Sequence, residues 1–142
     1  MDERSWRTHA RLVLGAGVAV IALSFLLLFV PIVVYAFVLA FRARGAPDQT
    51  AINHFAAMLS PALMPWLERL LTPVLAFRVV RRAEPAHAVD GLFVGMVAGI
   101  NGLVMLLAFG GRLTVGSVGG CLLIVGLGWL GGLVAQGISR NG

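Results

Sequence analysis

Apolar positions in this chain come in long runs, broken by short polar stretches that carry arginine. They do not alternate with polar positions at the period of a half-buried strand, nor recur as one stripe of an amphipathic helix. Leu12 to Phe41 has no charged residue at all. As a helix this run is about 45 Å long at 1.5 Å per residue, against a hydrocarbon core about 30 Å thick, so it must tilt, kink or protrude. Pro31 supplies a place to kink, because it cannot donate to the carbonyl of Leu27. The run is too long for the core of a signal peptide and no small-residue cleavage site interrupts it, so it reads as a retained anchor.

Two further apolar runs close the chain, at about 91–110 and 114–138, with only Gly111, Arg112 and Leu113 between them. So short a break makes them an antiparallel helical hairpin. All but three of the chain's 18 glycines lie from Gly91 onward. Gly91, Gly95 and Gly99 repeat every four residues and Gly102 follows; Gly116 with Gly120, and Gly128 with Gly132, repeat the spacing. Residues four apart stack on one helix face, so these glycines make smooth grooves. In water each would cost a helix about 1 kcal/mol relative to alanine. In a bilayer the backbone has no other partner, the helix forms regardless, and the grooves admit a second helix. The expected seam joins Gly95, Gly99 and Gly102 to Gly120 and Gly128.

The stretch 55–80, FAAMLSPALMPWLERLLTPVLAFRVV, has the length of one span. It also carries Pro61, Pro65 and Pro73, with Glu68 and Arg69 near its middle. Two readings compete. In one it is a proline-broken transmembrane helix with two ionisable residues turned toward protein. In the other it is a re-entrant or interfacial piece, leaving three spans. The first is preferred because the length fits. The expected architecture is therefore an all-α integral membrane protein: a single domain, residues 1–142, folded as a four-transmembrane-helix bundle ending in a glycine-rich hairpin. Its parts are an interfacial N-terminus at 1–11, then spans at 12–41, 55–80, 91–110 and 114–138.

Composition agrees with this. The chain is 59% hydrophobic and 12% charged, with a mean hydropathy of +0.94, against roughly 45–50% apolar residues in soluble domains. The net charge of +5 comes from 11 basic residues, all arginine. They flank the apolar runs, where head groups lie, and no aromatic-basic motif interleaves with them, so nucleic acid is not an expected partner. With four spans, seven arginines (4, 7, 11, 78, 81, 82 and 140) share one side and three (42, 44 and 112) the other. The positive-inside rule then puts both termini in the cytoplasm. With three spans the seven-to-four balance still leaves the C-terminus cytoplasmic, with the N-terminus outside. The expected location is a plasma membrane of bacterial type.

Candidate chemistry is sparse. His9, His54 and His87 stand alone in connections without ligand partners at i+3 or i+4, so no metal site is expected. VGLGWLGG lacks the preceding strand and following lysine of a phosphate loop. The single Cys121 lies inside an apolar run. No enzymatic activity is expected, and no cofactor is assigned. What remains is an intramembrane polar set, Glu68, Arg69 and Asn101, since charges at mid-membrane are expensive and face protein or water. Two functions fit. One is a non-enzymatic accessory, structural or assembly subunit of a larger membrane complex, whose partners are the bilayer and other subunits. The other is a small oligomeric transporter or channel built on copies of itself and using Glu68, Arg69 and Asn101.

Overall fold

A computed structural model describes residues 3–83, 87–108 and 112–140. These form four helices: α1, Glu3–Ala43; α2, Gln49–Arg82; α3, Ala88–Ala108; and α4, Val115–Arg140. Three apolar segments are long enough to cross a membrane: Ala10–Ala43, Ala88–Leu107 and Val115–Ser139. Their length and composition are those of membrane spans. The remaining helix, α2, has the length but carries Glu68, Arg69 and a basic last turn, and is not among them.

Several boundaries differ from the sequence expectation. Helix α1 is continuous from Glu3, so nothing separates the N-terminal segment from the apolar run at Leu12. Helix α2 starts at Gln49, inside the polar connection, because Asp48 caps it. The Asp48 carboxylate accepts from the amides of Thr50 at 2.9 Å and Ala51 at 3.3 Å, satisfying two donors that the first turn leaves free. Although Pro61, Pro65 and Pro73 all lie within it, α2 runs unbroken to Arg82. The chain therefore does not turn back within 55–80, which removes the re-entrant form of the three-span alternative. Hydroxyls back-bond to carbonyls four residues earlier, Ser60 to Ala56 and Thr72 to Glu68, each at 2.7 Å, which satisfies these groups inside the helix. Helix α3 begins at Ala88; positions 109 and 110 of the expected span lie outside the described residues. Thr114 and Ser117 cap α4 reciprocally: the Thr114 amide donates to Ser117 Oγ at 2.8 Å, and the Ser117 amide to Thr114 Oγ1 at 3.2 Å.

Helix α1 ends without a glycine in the left-handed position. Arg44 takes it, with φ of 49°. The Gly45 amide then reaches back to the Ala40 carbonyl at 3.4 Å, the outer bond of a Schellman motif.

Residue pairings fix an up-down-up-down bundle. Tyr35 stacks on Phe55 with ring centroids 4.2 Å apart, while Arg11 to Ala19 lie beside Leu75 to Arg82, so α1 and α2 are antiparallel. Helix α3 packs on α1, α2 and α4, whereas α1 and α4 do not touch among the described residues. The core sits at one end. Val13, Ala16, Ala76, Val79 and Val94 form one cluster there, and Val20, Ala98 and Ile124 the next. Beyond Leu28, the α1 face has no buried residue, and Phe29, Phe37 and Phe41 are exposed. In α2, Ile52 alone is buried before Thr72. The bundle is thus closely packed at the Arg11–Arg82 end and looser at the other.

Glycine sets the spacing of the packed end. A Cβ on Gly91 would lie 2.9 Å from Gly132 Cα, and one on Gly128 would lie 2.8 Å from Gly95 Cα. A Cβ on Gly95 would lie 2.8 Å from Val125 Cα, and one on Gly99 would lie 2.7 Å from Cys121 Sγ. No room remains at these positions for a side chain. The seam differs from the expected one at its other end. Gly102 faces Glu68 of α2, not α4, and a Cβ on Gly120 would meet nothing within 4 Å. Gly116 likewise has only Thr114 near it, at 3.7 Å. The reason is divergence: α3 and α4 separate toward their shared turn, so the four-residue ladder on α4 continues past the contact. Two contacts fall outside the ladder. Gly131 seats α4 directly against the Pro73 backbone, and Gly17 seats α1 against the Val97 side chain.

Candidate functional site

Where α3 and α4 separate, α2 does not fill the gap, and a cleft of about 210 Å³ remains. Each helix contributes one wall. Helix α2 supplies Pro65, Glu68 and Arg69; α3 supplies Gly99, Gly102 and Leu103; α4 supplies Gly116, Ser117, Gly120 and Cys121. The glycines matter through what they lack. With no Cβ at Gly102, the Glu68 carboxylate reaches over α3, its Oε2 3.5 Å from the place a Cβ would occupy. With none at Gly116 and Gly120, the α4 wall is bare backbone at those two positions.

Helical geometry places Glu68 there. Pro65, Glu68 and Thr72 are three and four residues apart and share a face. Thr72 is fully buried in the core, Pro65 lines the cleft, and Glu68 is half-buried between them. Trp66 and Leu70 point away and are 61% and 65% exposed. Arg69, next along the helix, cannot face Glu68 squarely. Its guanidinium lies over the Trp66 ring, 5.4 Å from the centroid, a cation–π contact that holds the charge at the cleft's outer rim.

Of the three expected polar residues, Glu68 and Arg69 are therefore brought together at one cleft. Asn101 is not: it does not line this space, although Gly102 beside it does. A single helical step of about 100° separates it from Gly102, enough to place its side chain on a different part of the α3 surface. Leu103, Leu106, Ser117 and Ile124 are the cleft residues that sequence reasoning did not single out. Ser117 already serves as the α4 cap, its hydroxyl donating to the Thr114 carbonyl at 2.8 Å. Cys121 is a free thiol, half-buried.

The cleft can accept a small polar group or the side of another helix. It offers one carboxylate, one guanidinium at the rim and an apolar glycine-lined wall. No known protein family matches this chain, and neither does any curated protein or solved structure.

Proposed function

We propose that the chain is a four-span protein of a bacterial-type plasma membrane, with both termini cytoplasmic, that acts as a non-enzymatic accessory or assembly subunit of a larger membrane complex. The observation that carries this reading is the uneven packing. One end of the bundle is closed by glycine and alanine contacts; the other leaves the Glu68–Arg69 cleft open between three helices. A carboxylate and a guanidinium at mid-depth are costly against lipid, and a partner helix bearing polar groups would offset that cost. The bare backbone of Gly116 and Gly120 gives such a helix a surface for close approach. The glycine seam between α3 and α4 is read as the device that keeps the subunit's own hairpin rigid while this docking face stays free.

The four-span reading rests on α2. It is unbroken and packs against each of the other three helices, which favours a spanning over a surface orientation. Glu68 is ten residues from Arg78, so it lies about 15 Å deeper, near the midplane of a core about 30 Å thick.

The cleft also favours a second reading, a small transporter or channel formed by several copies of the chain, with Glu68 and Arg69 lining a path between protomers. Extraction in mild detergent followed by native mass spectrometry separates the two. Hetero-complexes carrying this chain support the accessory reading. A homo-oligomer without other subunits supports the transporter and overturns the first.

A further inference from the structure

A second cleft lies at the closed end, between the first turns of the α1 apolar run and the last turns of α2. Its volume is about 310 Å³. Arg11 of α1 and Arg78 and Arg82 of α2 line it. Arg78 and Arg82 are four residues apart and share a helix face; Arg11 comes from the antiparallel neighbour. The intervening Arg81 does not join them, because its guanidinium lies over the Phe77 ring, 5.7 Å from the centroid. Among the described residues no carboxylate lines the cleft. Three permanent cations thus share one cavity, with no counter-charge among its described lining residues. The cavity itself exists because α1 offers only Gly15, Ala16 and Ala19 to its floor. Leu12, Leu75 and Val79 complete an apolar wall beneath the arginines.

We infer that this cleft binds the head group of an anionic phospholipid, with the phosphate held by Arg11, Arg78 and Arg82. The glycerol and the start of an acyl chain lie along the apolar wall. Guanidinium forks match phosphate oxygens in pairs. The position fits: Arg11 immediately precedes the uncharged run and Arg82 ends α2, so both stand at head-group depth in the four-span arrangement on which this inference rests. There the leaflet is the cytoplasmic one, and basic pockets between spans on that side take acidic head groups. A free phosphate would use the arginines but gain nothing from the apolar wall, which is why the lipid is the occupant.

The test is native mass spectrometry of the purified full chain in detergent, titrated with phosphatidylglycerol and, separately, phosphatidylcholine. The chain should retain phosphatidylglycerol preferentially. Arg78→Gln and Arg82→Gln should each weaken retention about fivefold, the equivalent of one arginine near an anionic surface. Arg81→Gln, with the same loss of charge at the same end, should leave it unchanged. Gly15→Leu offers a test without altering charge: a Cβ there meets nothing within 4 Å, so the helix tolerates it, and the larger side chain should occupy the cleft and reduce retention. Equal weakening by Arg81→Gln and Arg78→Gln would overturn the site, as would displacement of the lipid by inorganic phosphate. Resistance of the chain to alkaline extraction from membranes reads the membrane assignment separately.

Discussion

The carboxylate of Glu68 in α2 lies over Gly102 of α3, its Oε2 3.5 Å from where a Cβ on that glycine would sit. That separation is an ordinary contact distance, so Gly102→Ala should fold like the parent chain. Gly102→Leu should not leave the cleft open, since its side chain needs the space the carboxylate enters. Cys121 lines the same cleft and is the chain's one thiol, so it reports on the change. In detergent, modification of Cys121 by a small methanethiosulfonate should be slowed severalfold in Gly102→Leu and unaffected in Gly102→Ala. Equal rates in both would show that the leucine does not enter the cleft.

Removing the charge at Glu68 separates the two functions. The carboxylate makes no ion pair within the chain among the described residues, so Glu68→Gln should preserve the fold. In an accessory subunit it should also preserve assembly, because the amide keeps the shape and can still hydrogen-bond a partner. In a transporter it should leave the oligomer intact and abolish flux in proteoliposomes. Loss of folding in Glu68→Gln, seen as aggregation on size-exclusion, would contradict both.

The same substitution should have opposite effects at two points on α4. A Cβ on Gly132 would lie 2.6 Å from the Ala88 carbonyl oxygen, whereas one on Gly120 meets nothing within 4 Å. Gly132→Ala should therefore destabilise the hairpin by about 1–3 kcal/mol, as overpacking does. Gly120→Ala should be neutral or stabilising by up to about 1 kcal/mol, from helix propensity alone. Thermal denaturation in one detergent, with both variants side by side, reads the difference.

These two positions also show where the sequence stops being informative. Gly119-Gly120 and Gly131-Gly132 are the same dipeptide on the same helix. One faces open space, and the other is held on two sides, Gly131 by Pro73 and Gly132 by Ala88. Spacing marks which residues share a face; it carries no information on how far α3 and α4 diverge, because divergence depends on how the two helices sit relative to one another and to α2. The long apolar runs, the hairpin and the isolation of Glu68 and Arg69 were legible, since each follows from local composition. The exclusion of Asn101 from the cleft was not, because it turns on one residue's rotation about α3. Nor was the arginine cleft, which needs Arg11 and Arg78 brought together across the fold.

Asp48 tests why α2 begins in a polar segment. Its side chain satisfies the amides of Thr50 and Ala51. Asp48→Ala should lower stability by about 1 kcal/mol, and Asp48→Asn should retain most of it. A shift in Tm for the alanine variant with none for asparagine is the expected result. Identical Tm values for Asp48→Ala and the parent would show that water serves these amides equally well.

The orientation of α2 gives the last prediction. Arginine counts by themselves satisfy the positive-inside rule with either three spans or four, because shifting one helix out of the membrane moves arginines on both sides of the balance. The fold adds a constraint that counting lacks. Arg11, Arg78 and Arg82 line one cavity, which in the proposed four-span arrangement puts the start of α1 and the end of α2 on one face of the membrane. Three spans would place them on opposite faces. Gln49 and His87 are both exposed and flank α2 at its two ends. Single cysteines introduced at these positions, in a Cys121→Ala background, should label from opposite sides with a membrane-impermeant maleimide: Gln49→Cys in intact cells, His87→Cys only after permeabilisation. Labelling of both from the same side would mean that α2 does not cross, and it would remove Glu68 from the membrane interior along with the docking site proposed there.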